Sequence, residues 1–215
     1  MLQIYFGQKV NCFTFVKSES KNVFMRNAIS AIDRYYKLSA QSKDLVIQEF
    51  EEVRMKKGEV LIHENIRSPY LYFIEKGAVK NHYIDEKGNK KVVWFGFEGN
   101  ICFSLNSYID MDYIHETTEL LEDSLFYRVK INHVKALFKD HCDWANWGRC
   151  FMESVFINTV LELDEFKSLT SKEKYMKLIK SNQNVKERVP LKDIASYLGV
   201  SPVTISRLRK ELNEL

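Results

Sequence analysis

Residues 191–212 constrain this chain more than any other stretch, because they meet in order the requirements of two helices joined by a tight turn. Such a pair needs a small residue where the helices touch, a turn position free to take positive φ, and apolar residues that lock the second helix onto the first. Ala195 is the small contact, Gly199 the turn, and Ile194, Leu198, Val200, Ile205 and Leu208 the lock. Ser201 suits an N-cap, and Pro202 the first helical position, where its missing N–H costs nothing. With Ile205, Leu208 and Leu212 facing inward, Pro202, Val203, Ser206, Arg207 and Lys210 fall on or near the opposite face. The pattern is that of a helix-turn-helix whose second helix fits a major groove.

On that helix Arg207 carries the rigid fork that matches guanine O6 and N7, Val203 suits a thymine methyl, and Ser206 can donate or accept. Pro202 completes the base-reading set, while Lys192, Thr204, Arg209 and Lys210 suit phosphates, which fix orientation without reading sequence. The structural alternative for these basic residues is a solvated face on an ordinary helical hairpin. Charge is placed accordingly. Residues 171–215 hold ten Lys/Arg against five Asp/Glu, leaving 22 against 24 in the first 170, so the net +3 is carried by the C-terminal end. A mildly basic unit joined to a near-neutral one suits a nucleic-acid partner for the former.

Upstream, residues 23–50 read as helical, with a break at 39–43 and a second helix from 45 to 53. Short β-rich runs follow at 60–62, 70–74, 78–84, 91–97 and 118–129, separated by turn residues such as Glu75-Lys76-Gly77, as in an antiparallel sandwich or barrel. Residues 131–138 read as a short helix. Residues 143–167 read as a long amphipathic one, in which Met152, Phe156, Val160 and Leu163 form a stripe flanked by Phe151 and Val155. At about 37 Å such a helix outreaches a small domain, so part of its apolar face is expected on a partner; packing on its own β domain is the alternative. A further helix restarts at Ser171, read as its N-cap with Glu173 nearby.

No apolar run approaches the roughly 20 residues needed to cross a bilayer, and the N-terminus shows no continuous apolar core with a cleavage site, so a cytoplasmic protein without membrane contact is expected. Cys12, Cys102, Cys142 and Cys150 are scattered and form no metal-ligand spacing; they read as buried or half-buried reduced thiols. No metal, cofactor or catalytic residue is expected.

The β-rich domain, long helix and C-terminal helix pair together resemble the bacterial catabolite activator and fumarate-nitrate regulator family (Crp-Fnr type). The stretch from Asp193 to Leu212 carries the resemblance most strongly, with echoes at Lys57-Gly58-Glu59, at Glu75 to Lys80 and at Glu98 to Ile101. It implies an α+β protein divided into four parts. These are an N-terminal extension (1–22), an antiparallel β-roll sensor of the cyclic-nucleotide-binding, double-stranded β-helix kind with flanking helices (23–142), a dimerisation helix (143–168) and a helix-turn-helix domain (169–215). It further implies a homodimer on a roughly palindromic double-stranded DNA operator, a small-molecule effector, and RNA polymerase as a partner if the protein is an activator. By the same resemblance Arg207 falls on the family's guanine-reading arginine, while Pro202 and Val203 replace other readers and imply a different operator. The family's C-terminal wing hairpin would have to precede the helix pair, around residues 184–189.

Members that bind cyclic AMP carry a Gly-Glu pair for the ribose and an Arg-Ser pair for the phosphate. The matching positions here are Phe103-Ser104 and Ile114-His115-Glu116-Thr117, with both key charges missing and Glu116 placed to repel an anion. The expected effector pocket comprises Ile101, Phe103, Ser104, His115, Glu116 and Thr117, and cyclic AMP is not expected to bind in the usual way. An apolar pocket of Phe97, Ile101, Phe103, Leu105 and Tyr108, closed by Phe151 or Val155, is equally readable as core. Functions of other classes are a cupin-like enzyme, for which the metal-holding His-x-His is lacking, and a β-roll adaptor without DNA function.

Overall fold

The computed structural model describes residues 25–110 and 115–212; the extension at 1–22, with Cys12, and the position Ile114 lie outside them. Two helices, α1 (Arg26–Asp33) and α2 (Ala40–Ile47), precede eight strands: β1 (Glu51–Met55), β2 (Val60–Ile62), β3 (Tyr70–Lys76), β4 (Val79–Ile84), β5 (Lys90–Gly96), β6 (Ile101–Phe103), β7 (Thr117–Leu120) and β8 (Ser124–Lys130). A short helix α3 (Leu105–Ile109) lies between β6 and β7. The strands form two antiparallel four-stranded sheets, ordered β1-β8-β3-β6 and β2-β7-β4-β5. This is the expected α+β architecture with its antiparallel β-roll.

β3 shows why the roll holds. Its central residues are buried on both faces because alternate side chains enter different cores. Tyr72 and Ile74 point into the roll with Val79, Leu120 and Phe126, whereas Leu71 and Phe73 join Ile32, Val46, Trp144 and Trp147 of the flanking helices. After the roll come α4 (Ile131–Asp140) and the 27-residue helix α5 (Cys142–Ser168), about 40 Å long. The start of α5 is anchored by two indoles: Trp144 donates to the Ser42 carbonyl at 2.9 Å and Trp147 to the Ile32 carbonyl at 2.7 Å. From Val155 onward its apolar residues are exposed.

The last four helices are α6 (Ser171–Ser181), α7 (Gln183–Arg188), α8 (Leu191–Leu198) and α9 (Pro202–Glu211). They pack on the second sheet, sharing a core in which Ala78, Val92, Phe95, Phe97 and Leu121 meet Tyr175, Val185, Ile194 and Leu198.

Several expectations are corrected. Residues 51–53 open strand β1 instead of continuing a helix, because they pair with β8. The run at 118–129 divides into β7 and β8, with residues 121–123 forming a bend outside both strands. Thr170, not Ser171, caps α6, since its hydroxyl accepts from the Glu173 N–H in a reciprocal capping box. The stretch proposed for a wing is helix α7. Cys102 is buried and its thiol is pushed up to about 12 by that burial, but Cys142 is exposed, contrary to expectation. None of the described helices is long and apolar enough to cross a membrane.

Candidate nucleic-acid interface and effector cavity

The helix pair α8–α9 forms as its sequence requires. Gly199 has φ +67°, a conformation that costs other L residues energy, and the Val200 N–H reaches back to the Ala195 carbonyl at 2.9 Å. Ser201 caps α9 by accepting from the Thr204 N–H, and Pro202 takes the first position. Ile194, Ala195, Leu198, Ile205 and Leu208 are all buried. The opposite face of α9 is open to solvent: Val203 is 77% exposed, Pro202, Arg207 and Lys210 are exposed, and Ser206 is partly so. Lys192 on α8 is exposed as well.

Two residues expected to contact phosphate are otherwise engaged. Arg209 turns inward and donates through Nε to the Tyr175 hydroxyl at 3.0 Å, while its buried Nη2 has no partner. Thr204 shares its hydroxyl with Ser201 at 2.9 Å and so belongs to the cap.

A cavity of about 380 Å³ opens between the β-roll and α5. Ile101 and Phe103 line it, with Phe151 and Val155 of α5, so one part of each sequence-expected pocket is brought together there. The remainder is dispersed. Ser104 caps α3 and, with His115, lines a different cleft beside Arg67. Thr117 pairs with His82 in the sheet ladder, and its neighbour Thr118 faces the cavity instead. Phe97 is buried in the core shared with the helix-turn-helix, and Tyr108 packs edge-on against Phe103.

Glu116 is not among the residues that line the cavity; it accepts a hydrogen bond from Asn81, which does, and burial holds its carboxyl above the usual range. Sequence reasoning missed the polar side of the cavity: Arg34 from the end of α1, Asn81 and Trp94 from the second sheet, and Ser154, Asn158 and Glu162 from α5. The last three recur every four residues beside the apolar stripe, and that spacing was the available signal. Among the described residues no group of His, Cys, Asp and Glu has the arrangement of a metal site.

The C-terminal helices are fastened to the β-roll by polar contacts. Lys80 Nζ of β4 lies 3.0 Å from Asp193 Oδ2 of α8, and each side chain is 6% exposed. Ser196 accepts from the Val92 N–H at 3.0 Å and donates to the Lys90 carbonyl at 2.9 Å, occupying the free edge of β5. Arg188 forks onto both oxygens of Glu98, at 2.8 and 2.9 Å, and onto Glu122 at 2.6 Å.

A ligand-sized cavity between a β-roll and a long helix, with the roll bonded to a solvent-facing helix pair, makes a two-part architecture. Residues 52–141 match the model of the cyclic nucleotide-binding domain. No curated protein matches the chain. Among solved structures it is similar to FixK2 from Bradyrhizobium japonicum, with 16% identity, TM-score 0.64, and 76% of this chain and 84% of that one covered. It is also similar to a putative regulator of the Crp/Fnr family from Eubacterium rectale, with 18% identity, TM-score 0.62, and coverage of 82% and 84%. A third similar structure is the c-di-GMP-responsive regulator CLP of Xanthomonas campestris, with 12% identity, TM-score 0.62, and coverage of 81% and 92%. Residues 52–141 are therefore similar to a cyclic nucleotide-binding domain, and the chain has the fold of the Crp-Fnr regulators, as the resemblance in its sequence implied.

Proposed function

We propose that this chain is a DNA-binding transcription regulator of the Crp-Fnr type that acts as a homodimer joined along α5 and reads a roughly palindromic operator with α9. The observation that carries the reading is the solvent-facing side of α9, where Pro202, Val203, Ser206 and Arg207 stand exposed or partly exposed on a helix locked from behind by Ile205 and Leu208. Arg207 has neither a hydrogen bond nor an ion pair to any described residue, so its guanidinium is free for a base edge. Lys192 and Lys210 remain as phosphate contacts.

The cavity between the roll and α5 is the proposed effector site. Among the described residues that line it there is no Arg-Ser pair from the roll, and Phe103-Ser104 stands where cyclic-AMP binders carry the Gly-Glu pair, which disfavours cyclic AMP in its usual pose. Selection of operators from random duplex DNA with the purified chain tests the reading. A two-fold-symmetric site whose affinity falls steeply with salt is the expected result. Enrichment of no sequence would overturn it.

A further inference from the structure

We infer that a second cavity, bounded by α5, α6, α8 and the Trp94 indole, binds a small organic monocation with an alkylated ammonium group, held against the rings of Phe166 and Tyr197 and by the Glu162 carboxylate. The site adjoins the cavity proposed for the effector, with Trp94, Asn158 and Glu162 lining both, but it depends on neither that reading nor DNA binding.

The cavity has a volume of about 380 Å³, with Leu161 and Phe166 of α5, Leu178 of α6 and Tyr197 of α8 in its walls. Phe166, Tyr197 and Glu162 are mutually close. The centroids of the Phe166 and Tyr197 rings are 5.8 Å apart and their planes meet at 82°. Two rings set edge to face leave a corner bordered by a face of each, and ring faces attract cations. Glu162 stands four residues before Phe166, which brings the two side chains together on one side of α5, about 5 to 6 Å apart at Cβ. Burial pushes the Tyr197 hydroxyl up to about 12, and the charges of Glu162 and then Glu165 add to the effect, so both carboxylates stand close enough to act on that ring.

The charges around the cavity favour a cation. Lys177 is ion-paired to Glu165, and Lys174 donates to the Phe166 carbonyl at 2.7 Å with its ammonium 4.9 Å from the centre of that ring. Glu162 is the one charged residue lining the cavity that makes no hydrogen bond or ion pair with a described residue. Its side chain is exposed, yet desolvation and then the Glu165 charge raise its carboxyl above the ordinary range, and a ligand cation would reverse that. A primary ammonium would need three acceptors, whereas an alkylated one needs none and places its methyl groups against rings and leucines. Trp94 closes the side toward the β-roll, its indole lying across Gly96, where an added Cβ would overlap the ring. Asn158, Glu162 and Phe166 recur every four residues, about a third of a turn round α5 from Phe156, Val160 and Leu163, so the cavity is turned away from the row proposed for the dimer.

The test is calorimetry of the full chain with choline, with benzyltrimethylammonium, with the neutral isostere in which carbon replaces the choline nitrogen, and with benzoate. The two cations should bind saturably, one per chain, and the isostere and benzoate at least about tenfold more weakly. Glu162→Gln should weaken choline by about tenfold and leave the isostere unchanged, because only the charge is removed. Phe166→Leu should weaken both cations by a similar factor, and since Phe166 lines this cavity and not the adjoining one, it assigns the binding to this site. Melting of the ligand-free variants at the wild-type temperature would establish that they are folded. Choline and its isostere are compared on the wild-type chain, so that result stands whatever the variants do. The proposal is overturned if neither cation binds saturably at millimolar concentration, if the isostere binds as tightly as choline, or if folded Phe166→Leu keeps full affinity.

Discussion

Arg207 and Arg209 stand two positions apart on one helix and were both expected to meet DNA, yet the fold gives them opposite surroundings. Arg207 is exposed and unpaired, whereas Arg209 is drawn to the Tyr175 hydroxyl. Replacing Arg207 with Ala should cost about 1 to 3 kcal/mol of operator affinity and relax preference at one base pair per half-site, as read by titrating duplexes changed at each position. Arg209→Ala should act differently, lowering stability to urea through the lost Tyr175 contact while base preference is retained. Gly199, Ser201 and Pro202 were legible because their roles depend on the local backbone alone. The fate of Arg209 was not, since it is decided by α6, which is distant in sequence and carries no mark of that contact.

The long helix has the same split between what periodicity reveals and what it leaves open. The stripe from Met152 to Leu163 predicted an amphipathic helix, and α5 forms over Cys142–Ser168. Its first half packs on its own domain through Trp144, Trp147 and Phe151, while Phe156, Val160 and Leu163 are exposed at 70%, 48% and 57%. An apolar row of that length left in water is unfavourable at about 25 cal/mol per Å² and is consistent with a partner. Phe156→Glu should therefore yield a species that sediments as a monomer of 25.4 kDa where the wild-type chain sediments as a dimer, with the helical circular dichroism unchanged. A wild-type chain that sediments as a monomer at high concentration would refute dimerisation along this face. The division of 118–129 into two strands did have a mark in the sequence, since the polar pair Glu122-Asp123 falls between β7 and β8 and is the kind of residue pair that interrupts a strand.

At the scale of the whole molecule, the helix pair α8–α9 is docked on the β-roll through a buried polar seam that nothing local in the sequence announces. Lys80 and Asp193 are 113 residues apart and nearly fully enclosed. Lys80→Ala would strand the Asp193 carboxylate, with Glu119 also losing a partner, and should destabilise the chain by about 3 to 5 kcal/mol in urea unfolding. Lys80→Met combined with Asp193→Leu should recover most of that loss, because the desolvation of both charges is removed together. His82 lies in the same seam, 4% exposed, with Nδ1 unpartnered and Lys80, Lys90, Glu119 and Asp193 as the charges around it. Burial first, and the Lys90 charge next, hold its pKa below the ordinary 6.5. Well above pH 6.5 the ring is neutral whether the chain is folded or not, and the His82 contribution to stability does not change with pH. As the pH falls below that value the unfolded chain takes up a proton that the folded seam refuses, so stability declines until the depressed folded value is reached. Glu75 and Glu116, whose carboxyls burial raises, push the other way, since each adds stability as the pH falls. The His82 contribution is therefore isolated by difference. In urea unfolding from pH 8 to pH 5, the wild-type chain should lose stability relative to His82→Gln below about pH 6.5 and run parallel to it above. Parallel curves throughout would mean that the imidazole is protonated within the seam.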